Sequence, residues 1–321
     1  MIGGMRRFSS QFRPFLVGLT LVCGVATVSR AQSPAPPPAS APAPAPATAP
    51  VAGPDWPSTP ETLVVSSISC PGRGPFGPGT PYYSQFYEDY ILSYVFKDLA
   101  KGTYVDVGAY DPDTGSVTKY FYLKGWRGVN VEPNPEHLAA LQKGRPEDAN
   151  LGVGISDVAA TLTFYKFEKR ADGLSTFDPE TAARHKKAGF GYEELTIPLV
   201  TLTEALGRVE VVKGGFDFLN VDVEGFERKV LSGLDFAKHP PKVIVLEATA
   251  PLTEEPTQQK WEDLLFANGY SFALDDGLNR YYVQRSQRPL QARFLEVAYC
   301  VSRDKLSKGI KVDGFLPEPV K

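Results

Sequence analysis

Apolar runs of about four to eight residues alternate with helix-like segments from residue 84 to residue 284 of the chain. Side chains that are apolar in succession or at every second position predict strands, and apolar side chains spaced three or four apart predict helices. The predicted strands cover residues 103–108, 128–132, 151–156, 161–177 with its loop, 195–200, 216–224, 242–247, 270–274 and 280–284. The predicted helices cover residues 84–96, 114–124, 135–144, 202–206, 226–234 and 258–268.

This order of strands and helices indicates the fold class. Strands that alternate with helices predict an α/β fold with a doubly wound, mainly parallel sheet. The last two predicted strands are joined through Asp275-Asp276-Gly277, a sequence typical of a tight turn. They therefore predict an antiparallel hairpin at one edge of the sheet.

The most informative stretch of the chain runs from Thr103 to Asn134. Its first predicted strand ends at Gly108, and its second ends on a carboxylate, Glu132. In open α/β sheets, ligands bind beyond the carboxyl ends of the strands. A glycine after the first strand and an acid after the second form the arrangement that holds a nucleoside and its ribose hydroxyls.

The loop after Gly108 indicates which nucleoside is bound. A dinucleotide fingerprint requires glycines at two positions that are occupied here by Tyr110 and Asp113. The loop is acidic, with Asp106 and Asp111 as well, which suits the positive sulfonium and ammonium groups of S-adenosylmethionine and would repel a pyrophosphate. A nicotinamide-dependent oxidoreductase is therefore disfavoured. The alternative is an ordinary strand and turn without a ligand, although an aspartate within an apolar strand is costly unless it has a partner.

The first sixty residues differ in composition from the rest of the chain. Arginines precede an apolar run over residues 15–28, and small residues at positions 29 and 31 suit cleavage by a signal peptidase. We predict an export signal or N-terminal anchor over residues 1–31, and an uncleaved run 15–28 would tether the chain to a membrane. Residues 32–63 are rich in alanine and proline and predict a disordered linker. The folded domain is then predicted over 64–300, with a C-terminal tail over 301–321.

Charge argues against one class of partner. The chain has 34 basic and 37 acidic residues, and four of the arginines lie within residues 1–30, where there are no acids. The remaining 30 basic residues face 37 acidic ones, so the predicted domain has a net charge of −7. An acidic domain is not suited to neutralising a phosphate polymer, and we expect no nucleic-acid partner.

Several segments resemble a known family. They include Ser84-Gln85 ahead of Glu88-Asp89, Val105–Ala109, Val131–Asn134, Leu219–Glu227 and Asp276–Tyr281. Over roughly residues 84–283 the chain is similar to the FkbM family of S-adenosylmethionine-dependent methyltransferases. Tyr87 and Tyr110 differ from the family, which usually has glycine and asparagine there. The resemblance implies a seven-stranded Rossmann-like methyltransferase sheet, S-adenosylmethionine as cofactor and O-methylation of a hydroxyl on a sugar or small-molecule product.

The candidate catalytic residues are Asp222 and Glu224. They are two apart on the predicted strand 216–224, so both face the same side at its carboxyl end. Methyl transfer to a hydroxyl requires removal of its proton, and this pair is the best candidate for acid–base work or for orienting the acceptor. In an alternative interpretation Asp222 only caps the following helix and Glu224 pairs with Arg228.

The remaining site predictions fall into two groups. The predicted cofactor residues lie at the ends of the first three predicted strands; they are Asp106, Gly108, Ala109, Tyr110, Glu132, Pro133 and Asp157. Glu132 is predicted to bind the ribose. Asp157 is predicted either to accept a hydrogen bond from the adenine amino group or to serve only as a turn residue. The predicted acceptor-binding residues are Glu247, Asn279 and Arg280, although a plain hairpin turn also explains the last two. Glu247 could join Asp222 around a divalent metal, but no ligand spacing supports this and no metal is predicted.

The predicted export signal leaves the location open, because S-adenosylmethionine is made in the cytoplasm. The true start could lie downstream, or the chain could be exported or membrane-tethered. After export, Cys70 and Cys300 could form a disulfide; otherwise they remain thiols. The alternative function is therefore an exported, non-catalytic protein that binds a glycan or metabolite on a methyltransferase fold.

Overall fold

The computed structural model describes residues 82–253 and 255–303, with the side chains of the last five left out. The predicted signal or anchor, the linker, Cys70, the Cys300 side chain and most of the predicted tail lie outside these residues. Within the described ranges, no helix combines the length and apolar character that crossing a lipid bilayer requires.

The described residues form ten strands and eight α-helices. The strands are β1 (Thr103–Val107), β2 (Arg127–Val131), β3 (Ala149–Leu151), β4 (Gly154–Ser156), β5 (Ala160–Phe167), β6 (Tyr192–Thr201), β7 (Phe218–Val221), β8 (Val243–Glu247), β9 (Tyr270–Asp275) and β10 (Asn279–Gln284). The helices are α1 (Glu88–Val95), α2 (Lys119–Leu123), α3 (Pro135–Gly144), α4 (Pro179–Lys187), α5 (Leu202–Gly207), α6 (Glu227–Ser232), α7 (Glu262–Ala267) and α8 (Arg288–Arg303). Short 3₁₀ turns occupy Lys169–Leu174, Glu210–Val212 and Gln258–Lys260.

Seven strands form the central sheet, in the order β3-β2-β1-β7-β8-β10-β9. The first five are parallel, whereas β10 runs antiparallel to both β8 and β9. This confirms the predicted fold class, a doubly wound, mainly parallel sheet with an antiparallel edge hairpin. The strands are short apolar runs because both faces of the sheet are covered. Ile244 and Leu246 pack in one core, and the alternate residues Val243 and Val245 pack in the other.

A second sheet of three strands, in the order β4-β6-β5, lies outside the central sheet. The single strand predicted over 151–156 is wrong, because the chain leaves the central sheet at Leu151 and begins β4 at Gly154. The turn between them has little room, since a Cβ on Gly152 would lie 2.5 Å from Leu138 Cδ2. Residues of the second sheet and of the 3₁₀ turn Lys169–Leu174 form a cap over the cavity described below.

Helices α1, α2 and α7 begin later than predicted, and the first turn predicted for α7 is the 3₁₀ turn Gln258–Lys260. The Ser84 hydroxyl does not cap a helix at residue 84 but donates to Asp89 Oδ1 at 2.6 Å, and α1 begins at Glu88 after Tyr87, whose φ is +66°. The segment before α2 forms a loop, in which Ser116 Oγ accepts from the backbone N–H of Lys119 at 3.2 Å. Helix α3 begins as predicted, with the Asn134 side chain accepting from the N–H of Glu136.

Two helices were not predicted. Asp178 caps α4 by accepting from the N–H of Thr181 at 2.7 Å, and Pro179 takes the first helical position, so a capping signal was present in the sequence. Helix α8 lies at the end of the described chain, and its Phe294 and Val297 are fully buried beside α1. Its apolar face completes the core on that side of the sheet.

Candidate active site

A cavity of about 1130 Å³ lies at the carboxyl ends of β1, β2, β7 and β8. The loops that follow these strands line one side of it, and the cap lines the other. This is the position at which open α/β sheets bind ligands. Of the predicted site residues, ten line the cavity: Asp106, Gly108, Ala109, Tyr110, Glu132, Pro133, Asp222, Glu224, Glu247 and Asn279.

Gly108 brings two loops of the site together. Its φ of +86° is in the left-handed region, and its N–H donates to the carbonyl of Val131 at 3.0 Å. A Cβ at this position would lie 1.8 Å from the backbone oxygen of Asp222. Glycine is therefore required both for the backbone conformation and for the close approach of the loop after β7.

Glu132 joins the loops after β1 and β2. Its Oε2 accepts from the N–H of Tyr110 at 2.9 Å, and its Oε1 accepts from the N–H of Asn134 at 2.7 Å. Burial raises the pKa of this carboxyl to about 7, and the two amide donors limit the rise. Each carboxylate oxygen has a second lone pair, so Glu132 can still accept two hydrogen bonds from the cavity. The two hydroxyls of a ribose can donate these two hydrogen bonds.

The predicted acidic loop is only partly at the site. Asp106 is buried and accepts from Asn220 Nδ2 at 2.9 Å, and its burial raises its pKa. Asp111 Oδ1 accepts from the N–H of Asp113, whose own carboxylate pairs with Lys119. Neither Asp111 nor Asp113 lines the cavity, so the expectation that these two acids face a positive ligand is wrong.

Three carboxylates meet in the cavity wall. Strand β7 ends at Val221, so Asp222 and Glu224 lie in the loop beyond it rather than on one strand as predicted. Glu224 has a φ of +54°, and this turn brings its side chain back toward Asp222. Glu247 ends the neighbouring parallel strand β8, in which Leu246 is the register partner of Val221. One carboxylate oxygen from each of the three acids lies within 4.8 Å of the others.

Mutual repulsion and enclosure govern the charge of this cluster. Asp222 is exposed to the cavity, yet desolvation by the protein around it, followed by repulsion from Glu227 and Glu88, raises the pKa of its carboxyl. Burial, followed by repulsion from Asp222, raises the pKa of both Glu224 and Glu247. The three groups therefore hold their protons to a higher pH than isolated carboxyls do.

The structure does not show the alternative roles of Asp222 as a helix cap and of Glu224 as an ion-pair partner of Arg228. The residue preceding α6 is Phe226, and no side chain caps this helix. Arg228 pairs with Asp263 at 2.7 Å rather than with Glu224. Neither capping nor a local ion pair therefore accounts for the two acids after β7.

Glu88 was not predicted as a site residue, yet it lines the cavity beside Asn279. Asn279 Nδ2 donates to Glu88 Oε1 at 2.7 Å, and the N–H of Phe86 donates to Glu88 Oε2 at 2.8 Å. Burial, followed by repulsion from Asp276, raises the pKa of Glu88 to about 7. The available sequence signal was the acidic pair Glu88-Asp89 within a segment that resembles the family. Asn279 is also the register partner of Glu247, which places it next to the carboxylate cluster.

Asp157 is not at the cavity, and its predicted adenine contact is wrong. It follows β4 of the small sheet, where its carboxylate accepts from Lys229 Nζ at 2.8 Å and Ser156 Oγ at 2.9 Å. The hydrogen bond from Lys229 lowers its pKa. The residues that follow β3 and do line the cavity include Val153 and Ile155, which present apolar surface.

Arg280 also lies outside the cavity, which corrects its predicted contact with acceptor hydroxyls. Its guanidinium donates to Glu262 Oε1 at 3.1 Å and to Asp275 Oδ2 at 3.2 Å, and it stacks over the ring of Phe272. Adjacent residues of a strand face opposite sides of the sheet. Because Asn279 faces the cavity, Arg280 faces away from it.

The family is decided by a comparison with known protein families, which matches residues 106–272 to the methyltransferase FkbM domain. The match begins at Asp106 in β1, includes Glu132 and the three clustered carboxylates, and spans slightly more than half of the chain. The chain belongs to the FkbM methyltransferase family. A comparison with curated proteins gives no match.

Solved structures that resemble this FkbM-family chain include three methyltransferases. A TehB-like SAM-dependent methyltransferase from Corynebacterium glutamicum is 9% identical, with a TM-score of 0.34 over 64% of this chain and 90% of that one. Precorrin-6y C5,15-methyltransferase from Geobacter metallireducens is 16% identical, with a TM-score of 0.31 over 59% and 72%. A putative RNA methyltransferase from Pyrococcus horikoshii is 12% identical, with a TM-score of 0.31 over 68% and 94%.

One contact at the cavity rim involves a residue that departs from the usual FkbM sequence. Tyr110 donates its hydroxyl hydrogen to Asp172 Oδ1 at 3.0 Å, and its ring lies 4.4 Å from that of His137. His137 Nε2 is 3.3 Å from Asp172 Oδ2. Tyr110 therefore connects the loop after β1 to the 3₁₀ turn of the cap, a contact that the sequence did not reveal.

Proposed function

We propose that this chain catalyses S-adenosylmethionine-dependent O-methylation, with a hydroxyl of a sugar or another small molecule as the methyl acceptor. The observation that carries the proposal is that one cavity contains both Glu132, at the end of β2, and the carboxylate cluster at the ends of β7 and β8. Membership of the FkbM family supports methyl transfer as the reaction class.

At one end of the cavity the residues suit a nucleoside. Glu132 binds the two ribose hydroxyls through the lone pairs that Tyr110 and Asn134 leave free. Val153 and Ile155 offer an apolar surface for the adenine ring. S-adenosylmethionine supplies a methyl group on a positively charged sulfur, so the protein has only to align the reacting atoms and to remove the acceptor's proton.

At the other end the residues suit a hydroxyl acceptor. Asp222 is the proposed proton acceptor, because its carboxylate is exposed to the cavity just beyond the carboxyl end of β7, where it can take a proton from a bound hydroxyl. Glu247 and Asn279, which are opposite each other on β8 and β10, orient the acceptor hydroxyl.

The size of the cavity supports a small acceptor. Pockets for one drug-sized ligand are usually about 300–1,000 Å³. A cavity of about 1130 Å³ therefore has room for the donor together with a sugar-sized acceptor.

The proposal is tested in two steps with the full chain. Calorimetry should detect binding of both S-adenosylmethionine and its demethylated product, S-adenosylhomocysteine. Incubation with a panel of sugars and other hydroxyl compounds should then give a product that is heavier by one methyl group in mass spectrometry. Failure to bind either nucleoside would refute the proposal. Binding without transfer to any acceptor would favour the alternative of a non-catalytic binding protein on this fold.

A further inference from the structure

Three carboxylates of the cavity differ from their neighbours in their hydrogen bonding. Nearby buried acids all have donors: Glu88 accepts from Asn279, Glu227 from the N–H of Gly225, and Asp276 from the Tyr281 hydroxyl. In contrast, no hydrogen bond or ion pair to the carboxylates at the ends of β7 and β8 forms within the described parts of the chain, although Arg184 is close enough to lower the pKa of Glu224. These acids are Asp222, which is exposed to the cavity, and the more enclosed Glu224 and Glu247.

Glu224 is the most informative of the three. Its side chain is only 9% exposed, and its buried Oε2 atom has no hydrogen-bond partner. Burying a carboxylate oxygen without a hydrogen-bond donor is costly, and Arg184 offsets this cost without forming an ion pair, so Glu224 still lacks a partner. Its carboxylate is directed at those of Asp222 and Glu247, with one oxygen of each acid within 4.8 Å of the others.

We propose that Asp222, Glu224 and Glu247 bind one hard divalent cation of the Ca²⁺, Mn²⁺ or Mg²⁺ class. Carboxylate oxygens are the ligands that these cations prefer. Oxygens on opposite sides of a Ca²⁺ ion are about 4.6–5.2 Å apart, and on opposite sides of Mg²⁺ about 4.0–4.2 Å. Separations of up to 4.8 Å therefore suit Ca²⁺ directly and suit Mg²⁺ after small side-chain rotations.

The sulfonium of the proposed methyl donor is a poorer partner for this cluster. A sulfonium sulfur carries three carbon substituents, which prevent three carboxylate oxygens from approaching it at once. A bare cation has no such substituents. A metal ion is therefore a better partner than the methyl donor for the unpaired carboxylate of Glu224.

A cation at this position would have its remaining coordination sites directed into the cavity, which all three acids line. Oxygens of a methyl acceptor could bind there, a use that rests on the proposed function. The cation would lower the pKa of Asp222, and it would also lower the pKa of an acceptor hydroxyl bound to it, so that a weaker base would suffice to remove the acceptor's proton.

The test measures Mn²⁺ binding to the full chain after treatment with a chelator, with no methyl donor or acceptor present. Free Mn²⁺ is counted by electron paramagnetic resonance, and Ca²⁺ and Mg²⁺ are then added as competitors. We expect one site per chain, with affinity at least tenfold weaker in Glu224→Gln and Glu247→Gln. The matched control is Asp157→Asn, which removes an acid outside the cavity and should bind Mn²⁺ like the unaltered chain.

Absence of Mn²⁺ binding at millimolar concentration, or equal weakening in Asp157→Asn, would overturn the proposal. If Glu224→Gln does not fold, Glu247→Gln gives the same readout at a more open position. Because no donor is present, the result is independent of methyl transfer. A chain that binds Mn²⁺ but not S-adenosylmethionine would retain the cation site and refute the proposed function, and the opposite result would refute the cation site alone.

Discussion

Gly108 lies so close to the backbone of Asp222 that a Cβ on residue 108 would be 1.8 Å from the Asp222 carbonyl oxygen. The two residues follow β1 and β7, which are adjacent parallel strands. This contact places the loop that leads to Tyr110, on the proposed donor side, directly against the loop that carries the acidic cluster. The relative position of the two halves of the site therefore depends on backbone packing.

Gly108→Ala is expected to destabilise the protein much more than Gly115→Ala. Both glycines have a positive φ, but a Cβ on Gly115 would meet nothing within 4 Å. Gly115→Ala should lower the free energy of unfolding by about 1–2 kcal/mol, the cost of the left-handed conformation. Gly108→Ala should lower it by about 3–5 kcal/mol, because the steric clash adds to that cost. Urea unfolding measures both, and equal losses would contradict the importance of the contact with Asp222.

Donor affinity is expected to depend on pH through Glu132. Since the pKa of this carboxyl is raised to about 7, the group is largely protonated below that pH and ionised above it. The ionised form is the better acceptor for ribose hydroxyls, so binding of S-adenosylhomocysteine should strengthen by about three- to tenfold between about pH 6 and about pH 8. Calorimetry with Glu132→Gln should show weaker binding and no such rise. If the affinity of Glu132→Gln still rises with pH, the rise is caused by another titrating group.

Tyr110→Phe is expected to loosen the connection between the loop after β1 and the cap. Removing the hydroxyl breaks its 3.0 Å hydrogen bond to Asp172, which should lower the free energy of unfolding by about 1 kcal/mol. The control is Tyr122→Phe, which loses a 3.3 Å contact with the exposed Glu147 and should change stability by less than about 0.5 kcal/mol. Similar values for the two variants in urea unfolding would show that the rim contact contributes little.

Asp222→Asn is expected to slow turnover while leaving donor binding largely intact. Loss of a general base typically reduces kcat by about 10²- to 10⁴-fold. The Kd for S-adenosylmethionine should stay within about twofold of the value for the unaltered chain, because ribose recognition is assigned to Glu132 at the end of β2. Asp157→Asn should keep full turnover, since its carboxylate bonds to Lys229 outside the cavity. A comparable loss of donor affinity in Asp222→Asn and Glu132→Gln would refute this division of roles.

Features set by neighbouring residues could be predicted from the sequence. The apolar runs of β1, β2 and β8 and the cap of α3 by Asn134 were found from local patterns. The place of Glu132 at the end of β2 followed from the strand pattern, because a residue that directly follows a parallel strand lies at the ligand-binding edge of the sheet. The roles assigned to the cavity-lining residues remain predictions.

The sequence did not reveal where a strand is interrupted, or which face of the sheet carries a given side chain. Asp157 was assigned to the site because residues 151–156 formed a continuous apolar pattern, yet the chain changes sheets between Leu151 and Gly154. Likewise, adjacent positions in β10 separate Asn279, in the cavity, from Arg280, on the opposite face.

The sequence by itself determined the α/β class, the alternation of strands and helices, and the acids at the strand ends, because each of these is encoded in the periodicity of nearby side chains. Only the tertiary structure decided that Asp222, Glu224 and Glu247 converge while Asp157 does not. That outcome depends on which strands pair, on the left-handed backbone of Glu224, and on the close approach of Gly108 to the β7 loop. Such contacts join residues far apart in the chain, and local periodicity contains no information about them.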